Sequence, residues 1–117
     1  MSGTLSGLEE GRPALVALDP PRLLGSRDPE TGQVFFPRRA LAVDGSLRPC
    51  EPVDLPTEGT LHTWTVMGED AYGQVDLPGG PRIQTRLAPG AHEIDARYRL
   101  EARRADDGSI DWWFRRA

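Results

Sequence analysis

Through the second half of this chain, apolar and polar positions alternate with a period of two. Gly73, Val75 and Leu77 face one way and Tyr72, Gln74 and Asp76 the other. Ile83, Thr85 and Leu87 oppose Arg82, Gln84 and Arg86; Tyr98, Leu100 and Ala102 oppose Arg97, Arg99, Glu101 and Arg103. The last run places Ile110, Trp112 and Phe114 inside and Asp111, Trp113 and Arg115 outside. Such alternation is the signature of half-buried strands. A run mixed on both faces, Leu61–Met67, precedes them, and its β-branched and aromatic residues make it a strand too. Turn signals separate the runs at Gly68-Glu69-Asp70, Pro78-Gly79-Gly80-Pro81 and Asp106-Asp107-Gly108, and a longer connection with Pro89-Gly90 spans 88–96. Five short strands with one longer connection between the third and fourth predict an all-β chain closed as a five-stranded Greek-key barrel of the OB type. An open meander is the alternative, at the cost of two edges needing protection.

The first half reads differently. Residues 1–21 form an N-terminal segment in which Leu8, Leu15, Val16 and Leu18 suggest a short amphipathic turn, limited by Pro13, Pro20 and Pro21. Residues 22–58 are rich in Pro, Gly and charge, and only Val34-Phe35-Phe36 reads as a strand. This texture suits an arm too poor in apolar residues to build a core of its own. The expected organisation is therefore segment 1–21, arm 22–58 and barrel 59–117.

Composition changes little in this picture. The chain has 117 residues, 38% hydrophobic and 27% charged, with 13 Gly and 11 Pro acting as punctuation. No run reaches the ~18 apolar residues of a membrane span. Met1–Glu10 lacks the basic and apolar regions of a secretory signal, and a single cysteine excludes an internal disulfide, so a cytoplasmic protein is expected. The net charge is −4 and every basic residue is Arg. A basic nucleic-acid footprint is absent overall, although residues 82–116 carry eight arginines against six acids. The missing Lys fits either a GC-rich coding bias or a use for bidentate Arg contacts to carboxylate or phosphate.

Several segments together carry a family resemblance: Gly7-Leu8-Glu9-Glu10-Gly11, Gly32 through Arg39, Gly59-Thr60-Leu61-His62-Thr63-Trp64-Thr65-Val66, and Tyr72-Gly73-Gln74-Val75-Asp76-Leu77. The chain resembles the zinc-ribbon/OB-fold, acyl-CoA-associated proteins of domain of unknown function 35. In that family two metal-binding knuckles flank the Phe-Pro-Arg stretch. Carried over, the first pair of ligand positions falls on Asp28 and Thr31 and the second near Ala42 and Gly45. None is Cys or His, and tetrahedral zinc in such ribbons is held by thiolates. The resemblance thus implies a degenerate, rubredoxin-like ribbon arm without its metal, and no cofactor. It also implies a non-catalytic accessory subunit of a thiolase-type acyl-CoA enzyme, a thiolase or retro-aldol lyase. The expected assembly is a hetero-oligomer, two accessory chains on a thiolase-fold dimer.

Phe35, Phe36, Arg38 and Arg39 form an aromatic–basic cluster suited to docking a partner; packing of the two Phe against the barrel competes with that reading. Trp64 is a partner-binding candidate, and Trp64 or Trp113 could stack a base or adenine, against a core or interface role. Arg82 and Arg86 share a strand face and are candidates for coenzyme A phosphates, against ordinary solvated charge. Arg97, Arg99 and Arg103 with Glu101 read as a mixed-sign surface. His62 and His92 stand alone and read as structural or solvated. Cys50, between Pro49 and Glu51, has no neighbour that would lower its pKa. The carboxylate pairs Glu9-Glu10, Glu69-Asp70 and Asp106-Asp107 lie in turns or the tail. No catalytic residue is nominated. The alternative function is a nucleic-acid-binding OB module, disfavoured by charge because phosphate neutralisation dominates such binding. A small independent enzyme ranks last.

Overall fold

The computed structural model describes residues 14–41 and 47–117. It is all-β there, with β1 Val16–Ala17, β2 Arg22–Arg27, β3 Val34–Phe35, β4 Glu51–Leu55, β5 Glu58–Met67, β6 Asp70–Asp76, β7 Arg82–Leu87, β8 Arg97–Arg104 and β9 Ile110–Arg116. The last five close into a barrel in the order β5-β6-β7-β9-β8. All pairs are antiparallel except β7 with β9, which run parallel through Leu87 and Phe114. This is the OB arrangement, and the open meander is ruled out by the β8–β5 pairing of Glu58–Thr60 with Arg97–Arg99.

Closure depends on small residues. A Cβ on Gly59 would run into the Asp76 carbonyl, and one on Gly73 would meet the Leu61 and Leu87 methyls at 2.9 and 3.0 Å. Inside lie Leu61, Val75, Ile83, Tyr98 and Phe114, all fully buried. The alternation seen in the sequence thus has the correct phase in β6, β7 and β8. In β9 only Phe114 is fully buried; Ile110 and Trp112, expected to be buried with it, are half-buried. Both pack against the core cluster, and the arm reaches Trp112. The Phe36 ring meets Trp112 edge-on at 6.2 Å.

The arm is more ordered than its composition suggests. β2 pairs with β1 and β3 along one edge and with β4 along the other. Val16 and Ala17 form a strand opposite Leu23 and Arg22, where the apolar spacing suggested an amphipathic turn. β2 and β4 were not legible because β2 is interrupted by Gly25-Ser26 and β4 contains Pro52 and Asp54. Tertiary pairing overrides these weak propensities. Val16, Leu23 and Leu55 belong to the same core cluster as the barrel residues.

Candidate functional site

The arm is built around β2. Ser26 and Asp28 are buried polar residues there. The turn from β2 to β3 is closed by Gly32 N–H donating to the Asp28 carbonyl at 2.7 Å and by Glu30 N–H donating to Asp28 Oδ1 at 2.9 Å. Arg48, reaching across from beyond residues 42–46, donates to Asp28 Oδ2 at 2.6 Å. The Arg48 hydrogen bond holds the Asp28 carboxyl far below the usual carboxylate range against the opposing effect of burial, with help from the Glu30 N–H. At the first knuckle position, then, a carboxylate neutralised by guanidinium stands where the resemblance expects a metal ligand. That donor set does not fit zinc: Asp28 is engaged, Thr31 offers only a hydroxyl, and Ala42 and Gly45, which have no ligating side chain, lie outside the described residues. Among the described residues no three His, Cys, Asp or Glu side chains gather as a metal site.

The aromatic–basic cluster divides. Phe36 turns onto Trp112. Arg38 donates to the Gly25 carbonyl at 2.7 Å and approaches the Val53 carbonyl at 3.4 Å. Phe35 is half-buried beneath the Arg39 guanidinium, 5.2 Å from its ring centre, and Arg39 itself is exposed. The arm has no separate core: its apolar residues join the barrel's cluster, and the Arg38 contacts and the Asp28–Arg48 pair brace it.

On the barrel, Arg82 and Arg86 separate, being four strand residues or roughly 13 Å apart. Arg82 is exposed and clamps Asp76 at 2.6 and 3.3 Å. Arg86 enters a cleft of about 600 Å³ between the projecting β5–β6 hairpin and the outer sides of β7, β8 and β9. Trp64 and Val66 form one wall; Arg86, Arg103, Arg115 and Trp113 form the other. Arg86 and Arg103 lie over the Trp113 ring at 5.5 and 5.9 Å. Asp111 accepts from Arg86 at 2.9 Å and sits 3.9 Å from Arg103. Glu101 accepts from Arg115 and from the Trp113 indole, both at 2.7 Å, and these contacts depress its pKa.

Trp64, 38% exposed, packs on His92 with ring centres 5.1 Å apart. His92 Nδ1 lies 2.8 Å from the buried Tyr98 hydroxyl, which also receives the Glu93 N–H. Burial is the main cause of a lowered His92 pKa; Arg116 adds to it and the Ala88 carbonyl opposes it. Among the expected candidates, therefore, Trp64, Arg86 and Trp113 share the cleft, while Phe35, Phe36, Arg38, Arg39 and Arg82 lie elsewhere. Arg103, Asp111 and Arg115 join them, brought together by the parallel β7–β9 contact, which no local periodicity announces.

No family model matches the chain, and no curated protein matches it. A solved structure, the Ltp2-ChsH2(DUF35) aldolase, matches with a TM-score of 0.67 at 19% identity, over 81% of this chain and 84% of that chain. This likeness shows the fold. The barrel from residue 58 is about half of the sequence, so the matched portion extends into the arm.

Proposed function

We propose that this chain is a non-catalytic accessory subunit of a thiolase-type acyl-CoA enzyme and belongs with the domain of unknown function 35 proteins its segments resemble. The observation that carries the reading is the fold likeness through arm and barrel to a chain whose name holds both that family and an aldolase. The partner is a thiolase-fold protein carrying two such chains on its dimer. Phe35, Arg39 and Trp64 meet the partner, while Phe36 and Arg38 set the arm that presents them. Arg86, with Arg103 and Arg115 beside it, receives the anionic part of an acyl-CoA at the cleft. Arg82, occupied by Asp76 at the other end of β7, is the weaker member of the pair. Within the cleft His92 is engaged with Tyr98 and Asp111 with Arg86, which supports a binding rather than a catalytic role for these groups. The net charge of −4 weighs against a nucleic-acid module, because phosphate neutralisation dominates such binding.

Co-expression with a thiolase-like protein encoded beside this one, followed by size-exclusion chromatography, tests the reading. Co-elution that weakens in an Arg39→Ala/Trp64→Ala variant is expected, with Arg86→Ala raising the KM for acyl-CoA in the complex. Separate elution, or a complex with unchanged KM and assembly in both variants, overturns it.

A further inference from the structure

Among the described residues, the outer edge of β5 beyond Leu61 is unguarded. Up to Leu61 that edge is covered: Thr60 pairs with Arg97, Leu61 N–H donates to the Ala96 carbonyl and Asp95 N–H to the Leu61 carbonyl. Then the ladder slips at a bulge between Leu61 and Thr63, and β5 runs on to Met67 paired only with β6 among the described residues. The two-residue turn Gly68-Glu69, with Gly68 at φ +68°, closes on the pair Met67–Asp70. In such a hairpin the closing pair exchanges hydrogen bonds and the pattern then alternates. Met67, Thr65 and Thr63 therefore bond to β6, while the backbone N–H and C=O groups of Trp64 and Val66 point outward. Native edges are blunted by charge, proline or brevity. Thr63-Trp64-Thr65-Val66-Met67 has none of these, and its Val66 and Met67 are 58% and 63% exposed. Ile94, next to Asp95 at the base of the edge, is 52% exposed as well.

We infer that this edge receives an extended strand of a partner protein, apolar or β-branched at its centre and bearing Lys or Arg at both ends. The charges that bracket the edge select it. Glu69 and Asp70 stand exposed at the tip, and Asp95 stands exposed at the base. A second copy is a poor occupant for the same reason: with Thr65 opposite Thr65 in antiparallel pairing, its own Glu69-Asp70 tip meets Asp95. Residues 1–13 of this chain would bring Glu9 and Glu10, again the wrong sign. Strand addition supplies backbone bonds for affinity, and the flanking charges supply selectivity. The inference is independent of the partner's being thiolase-like.

The test uses the full chain and two nine-residue probes, Lys-Lys-Thr-Val-Thr-Val-Thr-Lys-Lys and its counterpart with Glu in place of every Lys, followed by amide NMR and fluorescence anisotropy. The Lys-ended peptide is expected to bind about tenfold more tightly and to slow exchange of the Trp64 and Val66 amides. Val66→Pro removes an outward donor without removing a β5–β6 bond and should abolish binding with the barrel spectrum retained. Glu69→Lys/Asp70→Lys should reverse the peptide preference, a result that does not depend on how the proline variant folds. Protection of Trp64 and Val66 in the dilute free chain means the chain covers its own edge. Protection that grows with protein concentration means a second copy does. Either result, or peptides that bind elsewhere or not at all, overturns the inference; none of them bears on acyl-CoA binding or co-elution.

Discussion

At residue scale the most consequential group is Asp28, a buried carboxylate whose charge is sustained by Arg48. Removing one member of a buried pair leaves the other uncompensated, whereas exposed pairs contribute little. Arg48→Met should therefore lower the melting temperature more than Arg27→Met, because Arg27 and its partner Glu51 are both exposed by more than two-fifths. Equal effects would show that the pair is not a brace. Since the folded-state pKa of Asp28 is depressed, its stabilisation is present above the ordinary Asp value near ~3.9 and is lost as pH falls through the folded value. His92 acts in a higher window. Its folded pKa is also depressed, so the folded chain binds fewer protons than the unfolded one. The stability it contributes is complete above about pH 6.5 and drains away as pH drops below that. The melting temperature should fall from pH 7 to pH 5 in the parent and fall less in His92→Gln; parallel profiles would remove His92 as the cause.

At element scale the join between arm and β9 is the informative contact. Phe114 is fully buried, whereas Trp112 is half-buried and shielded by Phe36. Phe114→Ala should cost about 3–5 kcal/mol, and Trp112→Ala nearer ~2 kcal/mol because less of its surface leaves water. A double-mutant cycle of Phe36→Ala with Trp112→Ala should return a coupling of about 0.5–1.5 kcal/mol by urea unfolding, as edge-to-face rings do. Additive losses would mean the arm does not rest on β9. The barrel was largely legible because each of its later strands puts its apolar residues on one face, so Val75, Ile83, Tyr98 and Phe114 announce themselves. The arm was not: Leu23 and Leu55 sit in strands broken by Gly25, Pro52 and Asp54, and their burial depends on a barrel that follows them in sequence. Of the cleft, Arg86, Trp64 and Trp113 were legible as isolated candidates. The partnership of Arg86 with Asp111 and Trp113 was not, since it spans 25 residues and a strand crossing.

At the scale of the whole molecule, arm and barrel divide in composition but not in packing. Leu55 ends β4 inside the common core, and β5 begins at Glu58, with the Thr57 carbonyl between them accepting the Leu100 N–H from β8 at 2.8 Å. Only Pro56 and Thr57 lie between β4 and β5, so the two parts are joined too tightly to move freely. Val16, Leu23 and Leu55 complete a core whose other side is Leu61, Ile83 and Phe114. The arm therefore buries its apolar residues against the barrel rather than in a core of its own. We expect the chain to unfold in one cooperative step, with tryptophan fluorescence, which senses Trp112 at the join, and far-ultraviolet dichroism tracing the same urea transition. A fragment of residues 58–117 should lose most of that cooperativity, because it uncovers Trp112 and Ile110 and removes part of the core. Its urea dependence should also be shallower, as the slope follows the surface exposed on unfolding. Two separated transitions in the full chain, or a fragment as steep and as stable as the parent, would make the arm a true second domain and return the task of holding it to a partner.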